Sequence, residues 1–161
     1  MLIYQILLRL WGNGRFSGVD TESLDYFKKL GVSHVWYTGI IKHSTGKAFV
    51  KGDPGSPYAI SDYYDVNGYL ADDVDNRMSE FEDLIKRTHE HGMKVIIDFV
   101  PNHTGRDYAD GHGGIPNCGR YDYDWSDTLK TDYSKTATWE AMLRILKFWA
   151  GKGVDGFRCD M

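Results

Sequence analysis

Cysteine is scarce: two of 161 residues, Cys118 in a Gly/Asn loop and Cys159 inside an apolar segment, so no disulfide framework holds this chain together. Basic residues are not in surplus either. Lys and Arg number 19 against 23 Asp and Glu, a formal net charge of -4, which excludes the electrostatic footprint of a nucleic-acid partner or of attachment to an anionic membrane surface. No apolar run approaches the roughly 20 residues that cross a bilayer. The nucleotide fingerprints G-x-G-x-x-G and G-x-x-x-x-G-K-[ST] follow none of the predicted strands, and His34, His43, His89, His91 and His112 are too scattered for a zinc site. A neutral substrate fits this balance best.

What is present suffices for one folded unit, since 42% apolar and 14% aromatic residues can bury a core of single-domain size. The opening MLIYQILLRLWGNG is interrupted by Arg9, lacks a basic start and shows no small-residue cleavage site. It reads as a strand rather than a leader, which favours a cytoplasmic chain; a leader removed ahead of residue 1 would leave a secreted or periplasmic location open.

Leu2 to Leu8 has the near-continuous apolar pattern of a strand covered on both faces. Asp20 or Thr21 caps a helix with Leu24, Phe27 and Leu30 on one face, closed by Gly31, and VSHVWYTGI is a second strand. Residues 41–78 carry Gly, Pro, Asp and Tyr without a period and read as an elaborated loop. Within it, Asp72, Asp73 and Asp75 form a solvated turn. Ser79 and Glu82 fit a capping box ahead of the face Phe81, Leu84, Ile85 and Thr88, which Gly92 closes. MKVIIDFV is a third strand. An insertion follows at about 104–134, then a helix from Thr136 with Trp139, Met142, Leu143, Leu146 and Trp149 on its core face, then the strand VDGFRCD. Alternation of this kind means an α/β fold with a parallel sheet, either doubly wound or a barrel.

Polar groups concentrate where strands end. Asp98-Phe99-Val100-Pro101-Asn102-His103 closes the third strand, Gly156-Phe157-Arg158-Cys159-Asp160 the fourth, and Pro57-Tyr58-Ala59-Ile60-Ser61-Asp62-Tyr63-Tyr64 lies in the loop after the second. In a parallel barrel, those ends converge on one pocket. Side chains alternate along a strand, so Arg158 and Asp160 share a face while Phe157 and Cys159 point to the helices. An arginine beside a carboxylate favours its ionised form and orients it, which suits a nucleophile. Alone, Asp160 would read as a surface aspartate at a strand end; its context argues for catalysis. Asp98, in an otherwise apolar strand, reads as structural, buried and hydrogen-bonded.

These three segments, in this order and spacing across essentially all of residues 1–161, resemble the α-amylase family of glycoside hydrolases. The resemblance implies a TIM-type (β/α)8 barrel of which the first four β/α units are present, with the 104–134 insertion in the place of the family's extra domain and shorter than is usual there. It implies a retaining hydrolase of α-1,4-glucans such as starch and maltooligosaccharides, or a transglycosylase of the same family. Asp160 would be the nucleophile and Arg158 its positioner, Tyr58 would stack on the sugar ring, His103 would hydrogen-bond its hydroxyls, and Asn102 would be a calcium ligand in members that bind Ca2+. Asn102 is equally readable as a loop brace.

Retaining glycosidases use two carboxyl groups about 5 to 5.5 Å apart. The family's acid is a glutamate after a fifth strand, so the expectation is a nucleophile half that is inactive alone. Two bare sheet edges further predict aggregation, instability or pairing with another half, a homodimer included. The alternative is a catalytically inactive carbohydrate-binding fragment. Tyr63, Tyr64, Tyr121, Tyr123 and Trp125 fall in loops, where sugar contact and plain packing are both open.

Overall fold

The computed structural model describes residues 1–46, 50, 52–109, 111–121 and 123–160. In chain order its elements are β1 (Ile3–Leu7), α1 (Thr21–Lys29), β2 (His34–Thr38), β3 (Ile41–His43), β4 (Ile60–Val66), α2 (Arg77–Glu90), β5 (Lys94–Phe99), β6 (His103–Gly105), β7 (Thr128–Lys130), α3 (Thr136–Gly151) and β8 (Gly156–Cys159). β1, β2, β5 and β8 form one parallel sheet in that spatial order. A doubly wound sheet reverses direction at a switch point, whereas a barrel keeps adding strands on the same side. Here the order never reverses. The four βα units are therefore wound as in a barrel.

Alternation along the strands sorts the two faces. Ile6, Val35, Tyr37, Val95, Ile97 and Phe99 are buried under the helices, while Gln5, Trp36, Asp98 and Arg158 occupy the other face. Polar contacts tie sheet to helices: Tyr37 Oη lies 2.7 Å from Thr88 Oγ1 on α2, and Trp149 Nε1 on α3 donates to the Tyr63 carbonyl of β4 at 2.8 Å.

α1 is capped by Asp20, whose carboxylate accepts from the Ser23 amide at 2.9 Å, and the chain leaves the helix through Leu30 and Gly31, the latter with φ 79°. Leu24 and Phe27 are buried as the pattern requires, but Leu30 lies past the helix end and is exposed. β1 departs from the both-faces expectation: Leu2 and Ile3 are exposed, since β1 pairs with β2 alone and no helix covers its inner face among the described residues.

The segment read as an unstructured loop contains β3 and β4, an antiparallel pair with two register shifts. Three-residue β3 is too short for periodicity to reveal. Its geometry is set by Asn67. The buried Asn67 Nδ2 lies 2.9 Å from the Gly39 carbonyl, 3.0 Å from that of Ile41 and 2.9 Å from His43 Nδ1, while Oδ1 accepts the His43 amide at 3.1 Å. One carboxamide thus satisfies a whole buried turn.

The Ser79–Glu82 capping box does not form. A 3-10 turn at Val74–Asn76 runs directly into α2, so Ser79 is already inside the helix and Asn76 occupies the cap without a side-chain bond. Glu80 instead accepts the Asp72 and Asp73 amides, both at 2.8 Å. On α3 the buried stripe is Thr138, Ala141, Met142, Ile145 and Trp149, rotated from the expected face; Trp139 is 61% exposed and Leu143 is exposed too. Trp139 and Leu143 border a hollow of about 680 Å³ shared with Phe99, Pro101 and Cys159. Cys118 and Cys159 are free thiols, and no described helix is long and apolar enough to cross a membrane.

Burial drives the His43 pKa down to about 4, against partial compensation from the Pro54 carbonyl. His43 is therefore neutral in the fold, with Nε2 3.1 Å from that carbonyl. Below the ordinary value of 6.5 the unfolded chain takes up a proton that the native chain refuses until about pH 4. Stability contributed above pH 6.5 should thus be lost as the pH falls through this window, by roughly 3 kcal/mol at most. Denaturant titration of the chain and of His43→Gln from pH 7.5 to 4 checks this, the variant showing the flatter profile.

Candidate active site

Arg158 is the meeting point of three strands. Its guanidinium carbon lies 5.2 Å from the Trp36 ring centroid and 5.7 Å from that of Tyr58, so the cation lies over two aromatic rings. Nη1 lies 2.6 Å from Asp160 Oδ1 and 3.3 Å from Asp98 Oδ1. The strand register aligns Asp98 with Arg158 across β5 and β8, and Asp160 follows one residue after β8, anchored by its own amide on the Phe99 carbonyl at 2.8 Å.

The charges are balanced locally. Asp98 is 7% exposed, and burial raises its carboxyl above the usual range, opposed by the Trp36 indole and by Arg158. The indole faces this carboxylate without reaching it, since neither Trp36 Nε1 nor Asp98 Oδ2 has a partner within hydrogen-bonding geometry. Burial works against the charge of Arg158, but Asp160 and Asp98 outweigh it and hold the guanidinium above its ordinary value. Tyr58 is likewise held above its ordinary range, first by burial and then by Asp98, so its phenol stays neutral.

A cleft of about 300 Å³ opens beside this cluster, lined by Ser56, Tyr58, His103, Trp125, Asp127, Thr128 and Asp160. His103 opens β6, is buried, and meets the edge of Trp125 with ring centroids 5.6 Å apart. β6 is braced from beneath: Tyr63 Oη donates to the Val100 carbonyl, and β6 pairs with β7 from His103/Lys130 to Gly105/Thr128. Tyr58, His103 and Asp160 therefore converge from three separate segments onto one opening, with Arg158 behind them. Asn102 does not join them. It lines the neighbouring hollow, with Nδ2 3.1 Å from His103 Nδ1, and its carbonyl accepts the Thr131 amide at 3.0 Å.

A family described as "Alpha amylase, catalytic domain" matches residues 9–123. The chain belongs to the alpha-amylase family. Among solved relatives, an alpha-amylase from Lactobacillus plantarum is 34% identical with a TM-score of 0.83 over 99% of this chain and 37% of its own. A maltogenic alpha-amylase from Thermotoga neapolitana is 30% identical, with a TM-score of 0.78 over all of this chain and 39% of its own. Curated relatives include alpha-amylase 3 of Dictyoglomus thermophilum, 27% identical over 99% of this chain, and the amino acid transporter heavy chain SLC3A1 of Rattus norvegicus, 29% identical over 92%. The chain spans 36% and 26% of the lengths of these two proteins. It is a glycoside hydrolase family member whose four βα units align with part of the family's barrel.

Within this alpha-amylase framework, the residues that sequence reasoning missed are Trp36, Ser56, Asp127 and Thr128. Trp36 had a signal: alternation in VSHVWYTGI places it opposite the buried Val35 and Tyr37, on the face that carries Arg158. Asp127, a second carboxylate at the cleft, had none, because nothing local fixes the direction of a loop side chain. For calcium, Asn102 brings one carboxamide oxygen. Among the described residues no group of three or more His, Cys, Asp or Glu side chains converges.

Replacing Arg158 by Met leaves Asp98 buried without its cation and should cost about 2 kcal/mol in urea denaturation, less than a fully buried pair because Arg158 is partly solvated. Adding Asp98→Asn should recover most of that loss, and a double-mutant cycle measures the coupling. Additive losses would show that the two side chains do not support each other.

Proposed function

We propose that this chain carries the nucleophile half of a retaining glycoside hydrolase acting on α-1,4-glucans. The observation that supports it is the convergence of Asp160, Tyr58 and His103 on one cleft, with Asp160 held by Arg158. The alpha-amylase relatives, one of them from Geobacillus thermoleovorans solved with acarbose and 25% identical to this chain, point to the same substrate class.

In this reading the glucosyl unit lies in the cleft with the apolar C–H face of its ring on Tyr58 and its hydroxyls at His103 and the polar rim. Asp160 attacks the anomeric carbon. A carbon–oxygen bond forms to the carboxylate as the glycosidic bond breaks, and water later releases the sugar from the covalent intermediate. Arg158 aims one carboxylate oxygen by holding it, which leaves the other free to attack. Protonation of the departing oxygen falls to a second carboxyl about 5 to 5.5 Å away, which the family resemblance places after a fifth strand. Transfer of the glucosyl unit to a sugar hydroxyl uses the same intermediate and differs only in the acceptor.

A second reading, binding or scaffolding without turnover, is favoured by the transporter heavy chain among the relatives. One substrate separates the two. α-Maltosyl fluoride loses fluoride without protonation, so it tests the nucleophile alone. Intact-mass measurement should show one maltosyl unit added to the chain and none added to Asp160→Asn. Slow hydrolysis of the adduct is expected where no base activates water. An unmodified chain that still binds maltooligosaccharide would overturn the nucleophile reading in favour of the second.

A further inference from the structure

Two buried polar atoms of the Arg158 cluster have no hydrogen-bond partner: Trp36 Nε1, which can only donate, and Asp98 Oδ2, which accepts when ionised. Unpaired groups of this kind are costly and call for an explanation. The two are complementary. Trp36 pairs with Ile96 in the register of β2 and β5, two residues before Asp98 and on the same face of the sheet. After burial, which raises the Asp98 carboxyl, the indole is the next influence on that group and favours its charged form. The strands already set donor and acceptor on one face, so a bond between them asks for side-chain movement alone.

The way Arg158 is shared gives an independent observation. One nitrogen, Nη1, lies 2.6 Å from Asp160 Oδ1 and 3.3 Å from Asp98 Oδ1. Asp98 is the more deeply buried of the two carboxylates, its side chain 8% exposed against 20% for Asp160. Charges attract more strongly where water screens them less, so Asp98 should hold the guanidinium closer. It holds it less closely. A second donor that serves Asp98 accounts for this, and the buried donor left unused beside it among the described residues is the indole N–H. The same ring lies 5.2 Å from the guanidinium carbon and limits where that group can go.

We propose that Trp36 is a positioning residue for Asp160: its indole N–H serves Asp98 Oδ2 and its ring holds the guanidinium, so that Arg158 stays on Asp160. The proposal rests on the nucleophile reading above. Trp36 is not among the side chains that line the cleft, so its effect passes through Arg158. Without the N–H, the buried Asp98 draws Arg158 toward itself, and the carboxylate that attacks loses the contact that aims it.

The test is the rate of labelling by α-maltosyl fluoride, followed by intact mass over a range of reagent concentrations. Trp36→Phe keeps a ring beside the guanidinium and lacks the N–H. Its limiting rate should fall about tenfold while the half-saturating concentration stays within about twofold of wild type, the signature of lost orientation with binding intact. Adding Asp98→Asn removes the competing charge and should return the limiting rate to within about threefold of wild type, a rescue that a packing defect would not show. The wild-type fold carries a second readout. The indole N–H resonance of Trp36 should exchange slowly with water and should shift in Asp98→Asn. Wild-type labelling of Trp36→Phe, no rescue by the second substitution, or an indole resonance indifferent to Asp98→Asn would each overturn the proposal and leave the nucleophile reading standing. A wild-type chain that takes no label overturns both.

Discussion

The site depends on a single cation that no other group in the sheet could replace. Arg158 is the one contact shared by Asp98 on β5, Asp160 beyond β8, Trp36 on β2 and Tyr58 in the long connection before β4. Two carboxylates this close repel, and one of them is nearly buried, so a positive charge between them is a condition of the arrangement as well as an ornament of it. The guanidinium meets this need by reaching both carboxylates while lying over two rings, which a compact lysine ammonium does less well. The placing of Asp160 and the pairing of the strand are thereby the same event: β8 cannot take its register on β5 without bringing Asp160 to the cleft.

A second layer of organisation holds the cleft walls in place. Asn67 fixes the turn after β2 and the start of β3, and β4, which the connection bearing Tyr58 enters, is held from the other side by Trp149 of α3. Tyr63 faces inward from β4 and supports the chain that leads to His103. The cleft is thus assembled from loops tied to one another by buried hydrogen bonds, one of which, from Trp149, reaches the helix layer. Such anchoring lets residues far apart in sequence hold a common geometry.

Much of this was legible from residue order. The three helices and four parallel strands were readable because each carries its own period, and the strand-end positions of Asp160, Arg158 and His103 follow from those strands together with the resemblance they carry. What was not legible depends on distant contacts. β3 is a three-residue strand that exists because Asn67 and β4 hold it. Ser79 and Glu82 have the spacing of a capping box, yet the preceding turn extends the helix past them. Trp139 has an apolar side chain at helical spacing from Trp149, but ten residues along a helix place the two on different sides, and the sheet selects the side of Trp149. Asn102 and His103 are neighbours in sequence, yet the turn entering β6 leaves one on the hollow and the other on the cleft.

The left-handed backbone at Tyr123 bears on how this protein could change over evolutionary time. A glycine there would relax the turn, removing a penalty on the order of 1 kcal/mol, and a single substitution away from the core is an easy one to acquire. A stabilising change of that kind would also remove the ring that stands beside Trp125. Backbone ease and the presence of an aromatic ring therefore pull in opposite directions at this one position.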